Sequence, residues 1–406
     1  MSMQPTPTFH ELNFFHLKRN PNCIKRILNI LLNFIDFVST ISLSGYLYAV
    51  NLSPNLDLPS IRTAVNQALA DFIKEGKQYL SEIGPELDPV AREIEKFLLS
   101  NGKRLRPIFA ITGFLAAGGS LNRLLINACS SLELIHVCAL IHDDVMDHSD
   151  TRRGAPSIHK IFESIHVQQK LSGSATQFGN AAAILMGDLA LVWSAQMLHK
   201  SGVHIEQLSK ALPFYDEMRV ELMAGQYLDI FEQSLASQSI ERSLKVARFK
   251  SGKYTIERPL HFGSSLVNNS EKLLSAFSAY GIPLGEAFQL RDDLLGVFGD
   301  PAKTGKPSGD DLKEGKRTAL IAAVMERANP SESKLLDSVI GDPNLSEDDI
   351  TKIQEIISST GALSHIESLI SKLAEKALNA LAFEGFTKIG KDLMTELVQI
   401  STNRNI

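Results

Sequence analysis

The stretch LELIHVCALIHDDVMD, residues 132–147, is an apolar run that closes on three carboxylates, Asp143, Asp144 and Asp147. Such a run predicts a mostly buried helix, and buried helices rarely collect acids. Residues i and i+4 share a helical face, so Asp143 and Asp147 point the same way, with Asp144 about 100° round the axis. Unpaired anions packed this closely repel one another. A divalent cation relieves the repulsion. A few carboxylates that leave coordination positions open suit Mg²⁺ bound together with substrate phosphates. The plain alternative is an acidic helix end facing water, and a second acidic pair in a similar setting weighs against it.

That second pair is Asp292 and Asp293, in GEAFQLRDDLLGVFGD (285–300), which closes another apolar helical stretch over 277–297. Two inward-facing acid clusters on two helices can converge across a bundle and clamp one polyanion through metal. By analogy with the first cluster a third acid belongs at position 296, where the chain has Gly296. Asp300, Asp310 and Asp311 in the following loop are candidates to supplement it, and spacing alone does not choose among them.

Basic residues accompany the acids. NGKRLRP (101–107) places Lys103, Arg104 and Arg106 at the opening of an apolar helix over 108–117. DTRRG (150–154) sets Arg152 and Arg153 just after the first acid cluster. Lys250 and Lys253 fall in FKSGKYT (249–255), and Lys306 and Lys316 in TGKPSGDDLKEGKRT (304–318). Guanidinium groups grip phosphate oxygens in pairs, and lysines act as compact point charges. One basic pair alone reads as a solvated face. Four such groups, two of them adjoining acid clusters, point to phosphate ligands held partly through metal. Gly305-Lys306 does not open a nucleotide-binding loop, because Pro307 stands where Ser or Thr is required and the earlier glycine is misplaced.

Taken together, LIHDDVMDHSDTRRG (140–154), NGKRLRP, FKSGKYT and FQLRDDLLGVFGD (288–300) resemble the trans-prenyl diphosphate synthases, most of all the bacterial geranylgeranyl diphosphate synthases. The motifs follow in the right order from about residue 60 to the C-terminus, and Gly296 departs from the common second motif. The resemblance implies an all-α fold, a single large helical bundle of the isoprenoid synthase type with a central active-site cavity. It also implies condensation of isopentenyl diphosphate with an allylic diphosphate, assisted by three Mg²⁺ ions. Asp143 and Asp147 match positions that bind two of these ions, with Asp144 beside them. Asp292 matches the ligand of the third, with Asp293 in support. Arg152, Lys250, Lys306 and Lys316 match the allylic diphosphate site. Lys103, Arg106, His136 and Arg153 match the isopentenyl diphosphate pocket. Ser251 and Gln289 fall where oxygens face the developing cation. A lone His within an apolar helix is ordinarily a core residue; for His136 the match reverses that reading.

Product length then depends on the depth of the cavity below Asp143. Cys138 and Ala139, about one turn down, are small, which leaves the cavity open and favours a C20 product, geranylgeranyl diphosphate. A longer C25–C50 polyprenyl product is the alternative, with the floor set by Ile135, Leu185 or Met186. A terpene cyclase would need no isopentenyl motif such as NGKRLRP. A non-catalytic subunit of a heteromeric synthase tends to lose the acids, and they are all present here.

The wider sequence agrees. Helical patterns recur over 60–82, 121–147, 179–201, 206–237, 241–266 and 361–383, strand patterns are scarce, and the Gly-, Pro- and charge-rich stretch 298–317 reads as a mobile lid or ligand loop. Residues 56–406 form the enzyme domain in this reading. With 41 basic and 46 acidic residues, a net charge of −5 gives no reason to expect nucleic-acid binding. Three cysteines, Cys23, Cys129 and Cys138, lack disulfide or zinc spacing, so a reducing cytoplasm is the expected compartment. Relatives imply a homodimer. Residues 1–55 are an N-terminal extension in which Lys18, Arg19, Lys25 and Arg26 precede an apolar stretch over 27–50. These invite a signal-anchor reading; the polar stripe Asn29, Asn33, Asp36 and Thr40 makes an amphipathic membrane-surface helix an equal alternative, and a disordered or non-native extension is the third.

Overall fold

Helical periodicity governs almost the whole structure, a computed structural model describing residues 56–403 apart from 101, 153, 236–237, 268–269, 300–307 and 343. The expectations for residues 1–55, and for Arg153, Asp300 and Lys306, lie outside the described residues. Helix α1 (Leu58–Ile83) opens on a capping box in which the Ser60 N–H donates to Asp57 and the Asp57 N–H donates to Ser60 Oγ. There follow α2 (Asp88–Leu99), α3 (Leu105–Ala116) and α4 (Arg123–Met146). Helix α4 is the expected buried helix of 121–147. Its apolar positions from Leu125 to Cys138 are sealed from solvent, and Asp147 closes it by donating its N–H to the Asp143 carbonyl at 2.8 Å.

A two-residue hairpin, β1 (Thr151–Arg152) against β2 (Ala155–Pro156), turns the chain back on the end of α4. Helices α5 (Ile158–Gln168), α6 (Ala175–His199) and α7 (Ile205–Ser234) come next, with α6 packed along α4. The helix expected over 241–266 runs without interruption in the structure, but its middle is π-helical. It is α8 (Ile240–Val246), a π-helical segment (Ala247–Glu257) and α9 (Arg258–Ser265). The π-helix bonds i to i+5 and is rare, so a reading for α-helical spacing does not distinguish it.

Helix α10 (Glu271–Phe298) runs through the molecule and packs on the π-helical segment. Around its C-terminal half gather α11 (Asp310–Lys313), α12 (Ala319–Met325), α13 (Pro330–Val339), α14 (Glu347–Ser359) and α15 (Ala362–Ala380). Leu290, Leu294 and Val297 meet Leu312, Leu320, Ile353, Ile357 and Ile366 in one dry core. Helix α16 (Lys388–Thr402) completes the fold, and the Tyr280 hydroxyl donates to the Met394 carbonyl at 2.8 Å. The result is the expected all-α bundle, in which α4 and α10 each bring an acidic end out of an apolar body.

Candidate active site

Glycines let the walls of the site close. A Cβ at Gly225 of α7 would fall 2.4 Å from the Lys250 nitrogen, and one at Gly285 of α10 would fall 2.3 Å from the Gly252 Cα. The π-helical segment therefore lies with its backbone against both helices, presenting Lys250 and Ser251 between them. Lys250 Nζ is 2.6 Å from Asp229 on α7. Burial works against its charge, but Asp229 and Asp143 outweigh burial and hold the ammonium above its usual pKa.

At the end of α4 the three acids have different tasks. Asp144 is fully buried and receives Arg152, whose Nε lies 2.6 Å and Nη2 2.5 Å from the same carboxylate oxygen. The hairpin makes this contact possible. Asp143 and Asp147 face the other way, into the site. Burial raises the Asp143 pKa; Lys250 opposes the rise and Asp147 adds to it. Asp147 reaches Lys316 Nζ at 3.4 Å.

Lys316 also lies 3.2 Å from Asp311 and pairs with Glu314, whose other partner is the Ser149 hydroxyl at 2.8 Å. One ammonium thus joins the acidic end of α4 to the loop that follows α10. Burial opposes its charge, while Asp311, Glu314 and Asp147 hold its pKa well above the usual lysine value.

On α10, Asp293 is buried and accepts a hydrogen bond from Gln289 Nε2 at 2.7 Å; the Ser251 hydroxyl donates to the Gln289 side-chain oxygen. Burial pushes the Asp293 carboxyl up to about 8; the Gln289 bond opposes this, and Asp311, Asp292 and Asp229 reinforce it. Asp292 stands on the exposed side of the same helix end.

The second basic group forms its own pocket. Arg106 is buried, donates to the Thr255 hydroxyl at 2.8 Å and lies over the Tyr254 ring, 4.3 Å from its centre. The Tyr254 hydroxyl is 3.3 Å from His136 Nδ1. Lys103 is exposed. Arg104, between them, is turned inward. It adopts a left-handed backbone (φ 53°) and is held by Glu133, Asn66 and the carbonyls of Leu98 and Ser100, all at 2.8–2.9 Å.

Below Asp143, Cys138 is fully buried and Ala139 half-buried. His142 Nε2 lies 3.0 Å from the Ile184 carbonyl and 3.6 Å from Asp188, with Cys138 Sγ 3.7 Å from Nδ1. The set has the composition of a nucleophilic triad but not its chemistry: burial, then Asp188 and Asp143, push the thiol up to about 12. Of the suggested floor residues, Ile135 and Met186 are buried and Leu185 is exposed.

The structure therefore brings together Asp143, Asp147, Lys250, Lys316, Ser251, Gln289 and Asp293 in one region, with Arg106 and His136 in an adjoining one. Asp229, Tyr254, Asp311 and Glu314 belong to the same assembly and were missed or left open at the level of sequence. Tyr254 had a signal, since it sits inside FKSGKYT. Asp229 was not singled out, being one of six acids spread along α7. Among the described residues no three acidic, His or Cys side chains converge as a finished metal cage, because ammonium and guanidinium groups stand between the carboxylates. The donor set nonetheless fits magnesium. It is all carboxylate oxygen, and at Asp293 the neighbouring Asp311, Asp292 and Asp229 add to burial in raising the carboxyl pKa.

Comparison with known proteins agrees with this geometry. Residues 88–357 match the polyprenyl synthetase family model. A geranylfarnesyl diphosphate synthase of Aeropyrum pernix is 31% identical over 70% of this chain and 84% of its own length. A geranylgeranyl diphosphate synthase of Saccharolobus solfataricus is 26% identical over 78% of this chain and 87% of its own. A crystal structure of geranylgeranyl pyrophosphate synthase from Corynebacterium glutamicum, complexed with isoprenyl diphosphate and magnesium, superposes with a TM-score of 0.83 at 42% identity, covering 86% of this chain and all of that one. With two acid-bearing helix ends and a basic pocket in the order its motifs imply, the chain belongs to the polyprenyl synthetase family.

Proposed function

We propose that this protein is a trans-prenyltransferase that condenses isopentenyl diphosphate with an allylic diphosphate, releases pyrophosphate and makes geranylgeranyl diphosphate. The observation that carries the reading is the position of Lys316, within 3.4 Å of Asp147 and 3.2 Å of Asp311, since it means both acidic ends can address one pyrophosphate.

Asp143, Asp147 and Asp292 would hold magnesium, with three ions per site proposed and Asp293 in support. Bound magnesium supplies Lewis-acid stabilisation of the charge that develops on the leaving group. Lys250, Lys316, Lys306 and Arg152 bind the allylic diphosphate, and Asp144 keeps Arg152 aimed at it. Lys103, Arg106, Arg153 and His136 bind isopentenyl diphosphate, with Tyr254 orienting the His136 ring and supporting the Arg106 guanidinium. The allylic C–O bond breaks, and the isopentenyl double bond attacks the resulting cation. Ser251 and Gln289 turn oxygen towards that cation, and the apolar flanks of α4 and α10 keep water from it. The proton lost from the condensed product goes to the departing pyrophosphate.

Small residues at 138 and 139 support a C20 product. The geranylfarnesyl diphosphate synthase among the relatives favours keeping a longer chain as the second reading. The enzyme works as a homodimer. Phe178, Leu185 and Val192 recur every seven residues on α6 and are 39%, 67% and 63% exposed, an apolar stripe suited to a second copy. Its compartment is the cytoplasm, supported by free, buried Cys129 and Cys138. Membrane contact through residues 1–55 is part of this proposal and is testable by fractionating the full chain against a form lacking them.

Incubation with isopentenyl diphosphate, Mg²⁺ and C5, C10 or C15 allylic primers, followed by product sizing, tests the function. Elongation stopping at C20 supports it. No elongation by the protein alone points to a non-catalytic subunit, and products beyond C20 to the longer-chain reading.

A further inference from the structure

Gly296 leaves the second acid motif one carboxylate short, and the fold shows what fills the space. A Cβ built on Gly296 would lie 1.9 Å from Asp311 Oδ2 and 2.6 Å from Asp311 Cγ. The Asp311 carboxyl group therefore occupies the place from which a side chain at 296 would grow. We propose that Asp311 replaces the missing acid, contributing from the loop the third magnesium-side carboxylate that α10 lacks. The proposal deepens the prenyltransferase reading and rests on it.

Three observations make the placement specific. The loop is fastened to the helix end beside Gly296: the Gly309 N–H donates to the Gly296 carbonyl at 3.1 Å, and the Ser308 hydroxyl to the Val297 carbonyl at 3.0 Å. Leu312 is buried in the core around α10, anchoring the residue after Asp311. Asp311 also shares Lys316 with Asp147, so its carboxylate faces the acidic end of α4. Spacing left Asp300, Asp310 and Asp311 open, and of the two described residues the approach to Gly296 singles out Asp311. Glycine at 296 then has a reason of its own, because any side chain there displaces Asp311.

Full-length protein is titrated with inorganic pyrophosphate in the presence and absence of Mg²⁺ by calorimetry, alongside thermal melting without metal. Asp311→Asn is expected to weaken Mg²⁺-dependent pyrophosphate binding by about 10- to 100-fold, the range for groups that tune a metal site, with a cooperative metal-free melting transition showing that the variant is folded. Asp310→Asn is expected to bind as wild type. Gly296→Asp alone is expected to bind poorly because two carboxyl groups claim one space. Gly296→Asp combined with Asp311→Gly is expected to recover most of the affinity by moving the acid back to the helix. Wild-type binding by Asp311→Asn, while Asp143→Ala loses binding, overturns the assignment and leaves the prenyltransferase reading intact. No recovery in the double variant also overturns it. Absence of Mg²⁺-dependent pyrophosphate binding by the wild-type protein sinks both.

Discussion

The Arg104 guanidinium and the Glu133 carboxylate form an ion pair of 2.8 Å in which each side chain is only 2% exposed. This pair holds the left-handed turn between Lys103 and Arg106, with three further hydrogen bonds from the same guanidinium. Removing one partner strands a buried charge. Glu133→Ala is expected to lower folding stability by about 3–5 kcal/mol, read by denaturant unfolding. Arg104→Lys, which keeps charge but loses the fork, is expected to raise KM for isopentenyl diphosphate more than KM for the allylic primer. Equal changes in both would assign the pair to general stability alone.

Asp143→Ala is expected to cut turnover by at least about a thousandfold, since charge stabilisation of the leaving group commonly contributes this much. Circular dichroism should remain that of the wild type, because Asp143 is at a helix end and its removal leaves no cavity in the core. Turnover within a few-fold of wild type contradicts its role.

Asp293 sets a pH dependence in protein stripped of metal. Its carboxyl stays protonated in the folded chain up to about pH 8, against a usual value of 3.8. Between those values only the folded state keeps the proton, so folding takes one up and stability falls as pH rises. Melting temperature measured with chelator from pH 5 to 8 should therefore decline, and Asp293→Asn should flatten the decline. An identical slope in the variant removes Asp293 as its source.

Ala139→Phe is expected to shorten the product while the fold is kept, because position 139 is only half-buried. Cys138→Phe makes the contrasting case. Cys138 is sealed inside α4, so a phenyl ring there should overpack the core and cost about 1–3 kcal/mol. Mass analysis of products and thermal melting separate the two effects. An unchanged product from Ala139→Phe rejects the cavity assigned below Asp143.

Residues whose role follows from local pattern were legible in the sequence. The run 132–147 announced both a buried helix and its acids, and α4 with Asp143 and Asp147 sits as expected. The bundle followed from helical spacing in the same way. What the sequence hid depends on distant parts of the chain meeting. The helix expected over 241–266 is present, but that its middle turns are π-helical was not read from the sequence. Asp229 matters only because Gly225 lets Lys250 come close. Asp144, grouped with its neighbours by spacing, is a clamp on Arg152 because a two-residue hairpin folds back on it.

The backbone contact between Gly252 and Gly285 also bears on how fast the enzyme can be ready for each new round of elongation. Ser251 and Gln289 ride on two segments that touch without intervening side chains, so their relative position is fixed before any substrate arrives. Little ordering entropy is then left to spend at the moment the cation forms. A chain-lengthening catalyst that repeats one reaction on ever longer tails gains from this. Under the proposed mechanism the reacting end would meet the same corner every cycle, whatever length of hydrocarbon trails behind it.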